Sequence, residues 1–446
     1  VVRGGYGIFY SRGSSGPLNN IQTPPTYLVG TQVASPPFDN PFFAVPSSDK
    51  FPIFVTGATL TGQFLDRNVR TSYFHQYNAS VQYAIGKDLL LEVAYVGTRG
   101  LNLPRLVAIN QARLASPEHP IVNEVTGQII TINTPANASL RAPFQGVSIV
   151  NFNQAQTTAQ STYNSFQLSL TRRFSNGLQF LASYTYARAI DNTSGRDEFD
   201  FSTILGNQLD NRANRGPSDF DRTHRFVLSY LWDLPRPAFA AKSTAARLLL
   251  SNWELAGIVV AMSGQPIDIV DTGAGSLYGL NNGTNPLARP NWAPGATRGM
   301  ASSNVPAGYF FNPFAFVRPI VPTGQVIPSS RGTAVSGPVP PGAPFGTDIG
   351  NVGRNVLRGP RQSNVDFSII KHFRIDESRN IEFRAEFFNL FNQVNLSNPI
   401  SDFNAVFATG SFDSNTGRII NPGDFGRITS TSNNPRLIQF AVKFNY

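Results

Sequence analysis

Residues 436–446 read RLIQFAVKFNY. Ile438, Phe440, Val442, Phe444 and Tyr446 are apolar, while Gln439, Lys443 and Asn445 between them are polar. A period of two sends these sets to opposite faces of an extended strand. Chain ends are commonly polar and frayed, yet this one is patterned to stay in a sheet. Two architectures share the pattern. One is the last strand of a soluble sandwich, with its apolar face inward. The other is the closing strand of a membrane barrel, with its apolar face on lipid.

Composition narrows the choice. Among 446 residues only 14% are charged and 12% are aromatic, with 38 Gly and 33 Pro. That balance suits a β protein touching a medium other than water. The absence of cysteine excludes disulfides and thiolate metal sites. His75, His119, His224 and His372 lie far apart without metal-ligand spacing, so no metal or other cofactor is expected. The best apolar run, LAGIVVAM at 255–262, is too short for a transmembrane helix. The net charge of +9 is spread singly along the chain, and no nucleic-acid partner is expected. The sequence opens on VVRGGYGIFY, without Met or a signal-peptide core, and is expected to be a piece of a longer protein.

Period-two runs predict about ten strands. They fall near 2–11, 73–85, 89–98, 163–174, 178–189, 222–234, 252–263, 363–373, 380–391 and 435–446. Tight links at 86–88 (GKD), 175–177 (SNG) and 375–379 (IDESR) have hairpin length and composition. The links between them are long: 12–72, 99–162, 190–221, 264–362 and 392–434. The stretch 235–251 is intermediate, and its AFAAKSTAARLLL predicts a short amphipathic helix. A compact soluble domain has no use for several such loops at one end. A bacterial outer-membrane barrel does, with tight periplasmic turns and long external loops. The expected fold is therefore all-β, a transmembrane antiparallel β-barrel.

Counting back from Tyr446 puts every short link on the periplasmic side. Phe174, Trp232, Trp253 and Phe373 then form a candidate periplasmic aromatic girdle. Arg172 and Lys371 share the lipid-facing parity close to turns, where their heads can snorkel. In FRAEFF, Glu382, Arg384 and Glu386 face the lumen and Phe383, Ala385 and Phe387 face lipid. Phe440, Val442, Phe444 and Tyr446 resemble the C-terminal membrane-assembly signal read by the barrel assembly machinery, and outer-membrane lipid is the expected surroundings.

The stretches VVRGGYGIFY, LEVAYVGTRG, DFDRTHRFVLSY, GNVGRNVLRGP, FRAEFFNLFN and FGRIT…PRLIQFAVKFNY occur in this order over residues 1–446. Together they resemble the C-terminal barrel part of TonB-dependent outer-membrane receptors, in particular the Oar-like group. The resemblance implies a barrel of about 22 strands, with a plug and TonB-recruiting box upstream. It further implies energised uptake of an unidentified extracellular substrate through the TonB complex. An Oar-like role in adhesion or secretion is the alternative, and a soluble carbohydrate-binding β protein is the alternative outside the membrane.

Two loop motifs invite site readings. AIDNTSGRDEFDF (189–201) gathers Asp191, Asp197, Glu198 and Asp200, but its spacing departs from a calcium loop and favours a solvated acidic loop. GNVGRNVLRGPR (350–361) carries Arg354, Arg358 and Arg361, which could grip lipopolysaccharide phosphate or another anion, or simply line a loop-to-strand transition. Paired carboxylates around Arg384 suit ion pairing better than glycosidase chemistry. No G-x-S-x-G elbow occurs, so no enzyme is expected.

Overall fold

The computed structural model describes residues 1–11, 39, 60–134, 136–194, 210–271, 288–318, 320–321, 327–329, 332–336, 350–374, 376, 379–413 and 418–445. Tyr446 lies outside the described residues. All ten expected strands are present. They are β1 (Val2–Tyr10), β2 (Tyr73–Ile85), β3 (Leu89–Ala108), β4 (Val147–Ser175), β5 (Leu178–Asp191), β6 (His224–Asp233), β7 (Trp253–Met262), β8 (Gln362–Arg374), β9 (Asn380–Phe388) and β10 (Leu437–Asn445). They pair in chain order, each antiparallel to the next, as one open sheet. Among the described residues β1 and β10 do not pair with each other.

The hairpins show why the turns are short. Asn176 and Gly177, the whole β4–β5 link, both have positive φ, 51° and 79°. This is the two-residue turn whose twist matches paired strands. A Cβ on Gly177 would lie 2.7 Å from the Asp233 carbonyl oxygen, so glycine is required twice over.

Side chains on the sheet follow an inverted pattern. Leu178, Trp232, Leu255, Ile369, Ala385 and Phe440 form one apolar row across six strands. The next row, on the opposite face, is Gln179, Leu231, Ala256, Ser368, Glu386 and Gln439. Large apolar residues stand uncovered on the first face, with Phe440 67% and Val442 72% exposed, whereas Glu382 on the other is 7% exposed. A water-soluble protein would show the reverse. The inversion satisfies a lipid-facing exterior, because the backbone is paired within the sheet and only apolar groups meet hydrocarbon.

Two strands differ from expectation. β3 continues to Ala108 and β4 begins at Val147, well beyond the expected 89–98 and 163–174. The extensions, RGLNLPRLVA and VSIVNFNQAQTTAQST, lack clean alternation because they stand beyond the apolar band. Their pairing shifts register between Gly100 and Arg105, and Asn102 takes φ 54° at the break. A short strand, Leu60–Leu65, adds in parallel to the outer part of β4. Lower down, Gly97 lies opposite Tyr77, and a Cβ there would sit 2.1 Å from the Tyr77 ring. The bare glycine lets the ring cross β3, so that Tyr77 donates to Asn164 Oδ1 on β4 at 3.0 Å.

The two faces make a direct test. Phe440→Asp should lower the stability of inserted protein by about 1–3 kcal/mol, below the ~2–4 kcal/mol known for Arg or Lys at the midplane. Lys443→Gln, on the opposite face, should be mild. Outer-membrane yield in cells and unfolding of refolded protein in detergent measure both, and equal tolerance would mean the faces are exchanged.

Candidate functional site

The long connections leave the sheet at one edge, and the described parts of the β5–β6, β7–β8 and β9–β10 connections fold onto each other. Their first tie is ionic. Asp191 ends β5 and is buried, and Arg354 in the β7–β8 connection donates to its Oδ1. Arg354 also donates to Asp219 Oδ1 (2.8 Å) and Ser194 Oγ (2.6 Å) in the β5–β6 connection. Burial opposes the Arg354 charge, but the two carboxylates outweigh it and hold the guanidinium above its ordinary pKa. Asn355, in the left-handed region at φ 54°, donates to Asp219 Oδ1 (2.6 Å) and to the Pro217 carbonyl (2.7 Å). Arg358 pairs with Asp221, whose other oxygen accepts from the Ala189 amide at 2.6 Å. Arg289 forks onto Asp268 (2.9 and 3.1 Å). The β5–β6 and β7–β8 connections are thus latched by charge-assisted bonds.

The second tie is apolar. Phe311 and Phe316 from the β7–β8 connection meet Phe403 and Phe425 from the β9–β10 connection, all at most 2% exposed. Phe425 has ring centroids of Phe311, Phe403 and Phe316 at 5.1, 5.4 and 5.9 Å, near edge-to-face for Phe311 and Phe316. Ile267, Ile269, Val352, Leu357, Val406 and Ile419 close the cluster. Beside the sheet's outer end lies a polar cavity of about 340 Å³, lined by Asp66, Arg70, Asn102, Thr157, Gln160 and Asn211. Its amides and hydroxyls suit a ligand rich in hydroxyl or amide groups.

The anion-binding reading of 350–361 is corrected for two of its three arginines. Arg354 and Arg358 are spent on carboxylates of this chain, because burial demands a partner for each charge. Arg361 is exposed. In the acidic stretch, Asp191 is part of the latch, while Asp197, Glu198 and Asp200 lie outside the described residues.

The other sequence-selected residues are placed as follows. Phe174, Trp232, Trp253 and Phe373 all stand at the short-turn ends of their strands. Lys371 Nζ lies 5.3 Å from the Trp253 ring centre and 5.1 Å from that of Phe373, and donates to the Ser251 carbonyl. Arg172 reaches the Ser175 carbonyl at 3.4 Å, the same use of a turn carbonyl. Glu382, Arg384 and Glu386 share the inner face. Arg384 pairs with Glu382 and lies 4.0 Å from Glu386, while His372 stands between Glu254 (3.6 Å) and Glu382 (3.9 Å). Phe440, Val442 and Phe444 line the outer face of β10.

Sequence reasoning missed the loop core. Its phenylalanines are spaced without a period, so no local signal announces them. It also missed Arg105, 3% exposed in the extension of β3, whose Nε and Nη1 have no hydrogen-bond partner. Burial pushes its pKa down to about 10.

Residues 1–439 match the outer membrane beta barrel domain family. Among solved structures, the chain is similar to the outer membrane transporter YddB from Escherichia coli, with 10% identity, 86% of this chain and 34% of that chain covered, and a TM-score of 0.37. It is similar to the pyoverdine outer membrane receptor FpvA from Pseudomonas aeruginosa PAO1, bound to pyoverdine, at 8% identity, covering 85% and 30%, with a TM-score of 0.34. The ferric-catecholate import receptor Fiu from E. coli K12 gives 8%, 99%, 32% and 0.34 on the same measures. The chain spans about a third of the length of these proteins. No curated protein matches it in sequence.

Three substitutions test the loop assembly. Arg354→Met should destabilise it by about 3–5 kcal/mol by stranding Asp191, and Phe425→Ala by about 3–5 kcal/mol through a core cavity. Both should speed chymotrypsin cleavage within 263–361, while full-length protein, parent and variant alike, should migrate faster unheated than boiled on a denaturing gel. Arg105→Met should instead stabilise by about 1–3 kcal/mol, because it removes buried unpaired donors. Its cost in the parent chain, a base held charged below its depressed pKa, should ease as pH rises past about 10.

Proposed function

Because the chain belongs to the outer membrane beta barrel domain family, we propose that it supplies ten consecutive strands of a TonB-dependent receptor of the Oar-like group. Such a receptor admits a large or scarce substrate across the bacterial outer membrane. The observation that carries the reading is that the long connections leave one edge of an outward-apolar sheet, where the described parts of the β5–β6, β7–β8 and β9–β10 connections pack together as a folded cap. In this reading the cap faces the cell exterior and meets substrate and lipopolysaccharide first, with the polar cavity near its base. The Glu382–Arg384–Glu386 ladder lines the lumen, where a plug coupled to TonB would pass its charges. The aromatic girdle sits at the periplasmic interface, and the outer-face residues of β10 are read by the barrel assembly machinery. The soluble carbohydrate-binding alternative is set aside by the family and by the outward apolar face.

Topology is tested by epitope tags. Tags within 12–72, 264–362 or 392–434 should be accessible on intact cells, and a tag at 175–177 should not. Surface labelling at 175–177 would invert the orientation.

Function is tested by deleting the full reading frame in its host. Loss of growth on a large substrate, reproduced by deleting TonB, is the expected result. Unimpaired growth with loss of attachment or secretion would assign the adhesion or secretion role instead. For the assembly signal, removing Phe444 and Tyr446 should reduce insertion more than it destabilises protein already folded, measured as outer-membrane yield against unfolding in detergent.

A further inference from the structure

The β6–β7 link differs from the other connections on its side. It carries a 3₁₀ turn, Ala238–Lys242, and a helix, α1 (Thr244–Leu250), started by Ser243, whose Oγ accepts from the Ala246 amide at 3.0 Å. No residue of α1 is buried. Leu249 is 64% exposed and Phe239 61%, and Leu248 and Leu250 are exposed as well. Arg236 and Arg247 are exposed beside them.

Two bonds fix this element to the outer face of the sheet. Trp253 Nε1 donates to the Leu249 carbonyl at 2.7 Å, and Lys371 Nζ donates to the Ser251 carbonyl. Trp253 and Lys371 are direct cross-strand partners, and their outer-face row continues through Phe383 and Val442. The bare leucines therefore begin where the lipid-facing surface ends. An indole and a lysine at that border are the side chains that settle where hydrocarbon meets headgroups.

The geometry points to an interfacial anchor: α1 and Phe239 sink into the headgroup–acyl boundary of the adjoining phospholipid leaflet, with Arg236 and Arg247 on acidic headgroups. A protein partner would have to straddle the girdle itself to cover the same residues, whereas lipid already surrounds it. Contact with lipid follows from continuity with the outer face. Only the choice of the periplasmic leaflet rests on the proposed orientation, and the epitope tags test that separately.

These 446 residues hold no cysteine, so a cysteine introduced here is labelled alone once any cysteine elsewhere in the full reading frame is replaced by serine. Leu249→Cys and, as a control in the β2–β3 turn, Lys87→Cys are labelled with an environment-sensitive fluorophore. The label is read in protein refolded from its full reading frame into phosphatidylethanolamine–phosphatidylglycerol vesicles, with folding checked by gel mobility before and after boiling. At 249 the emission should shift to the blue and be quenched by lipid nitroxides near the headgroup more than by those near the bilayer centre. Aqueous iodide should quench 249 several-fold less than 87. Adding Arg247→Gln should reduce the gain in protection that phosphatidylglycerol gives. Equal iodide quenching at 249 and 87 with no effect of nitroxide lipid would overturn the anchor and leave the surface to water or to a protein partner.

Discussion

An amide or carbonyl facing hydrocarbon without a partner costs several kcal/mol, and a chain crossing a bilayer meets that demand at each residue. Here it is met between neighbours, strand by strand, from Val2 to Asn445. Most other features of the sheet follow. Pairing between sequence neighbours forces links to alternate between two edges, so one edge collects the tight turns and the other the long connections. The pleat then sorts side chains, setting the apolar row from Leu178 to Phe440 on one face and turning Glu382 and Arg384 to the other, where they neutralise each other. Even Lys371 and Arg172, basic residues of the outer face, obey, because they turn their heads to carbonyls at the turns.

Beyond the apolar band water returns and the ordinary logic of a soluble core applies. Phe311, Phe316, Phe403 and Phe425 bury one another, and Arg354 and Arg358 are held by aspartates at the end of β5 and in the β5–β6 connection. One chain thus carries two opposite solvation patterns, and Asp191 at the end of β5 stands where they meet. A buried ion pair is a poor source of stability but a strict condition on geometry. Arg354 therefore fixes how the β5–β6 and β7–β8 connections sit relative to one another.

The sequence was most legible where environment alternates with residue parity. FQLSLTRRF and LQFLASYTY marked strands because their two faces meet different media, and Asn176-Gly177 marked its turn because few other pairs accept positive φ twice. Legibility failed where partners are distant. Arg354 looked available to an anion because nothing local announces Asp191, 163 residues away. Phe425 and Phe311 are likewise brought together only by the fold. The ends of β3 and β4 were missed because both faces of those extensions meet protein or water.

The shared loop core also bears on the alignment of the strands. Phe311 lies between β7 and β8, and Phe403 and Phe425 lie between β9 and β10. The cluster needs both connections, and each is delivered to that edge by strands paired in sequence from β7 to β10. A slip of register in any of those pairs would carry one half of the core away from the other. The buried rings therefore act as a gauge of strand register, closing only when four consecutive strands are aligned at once.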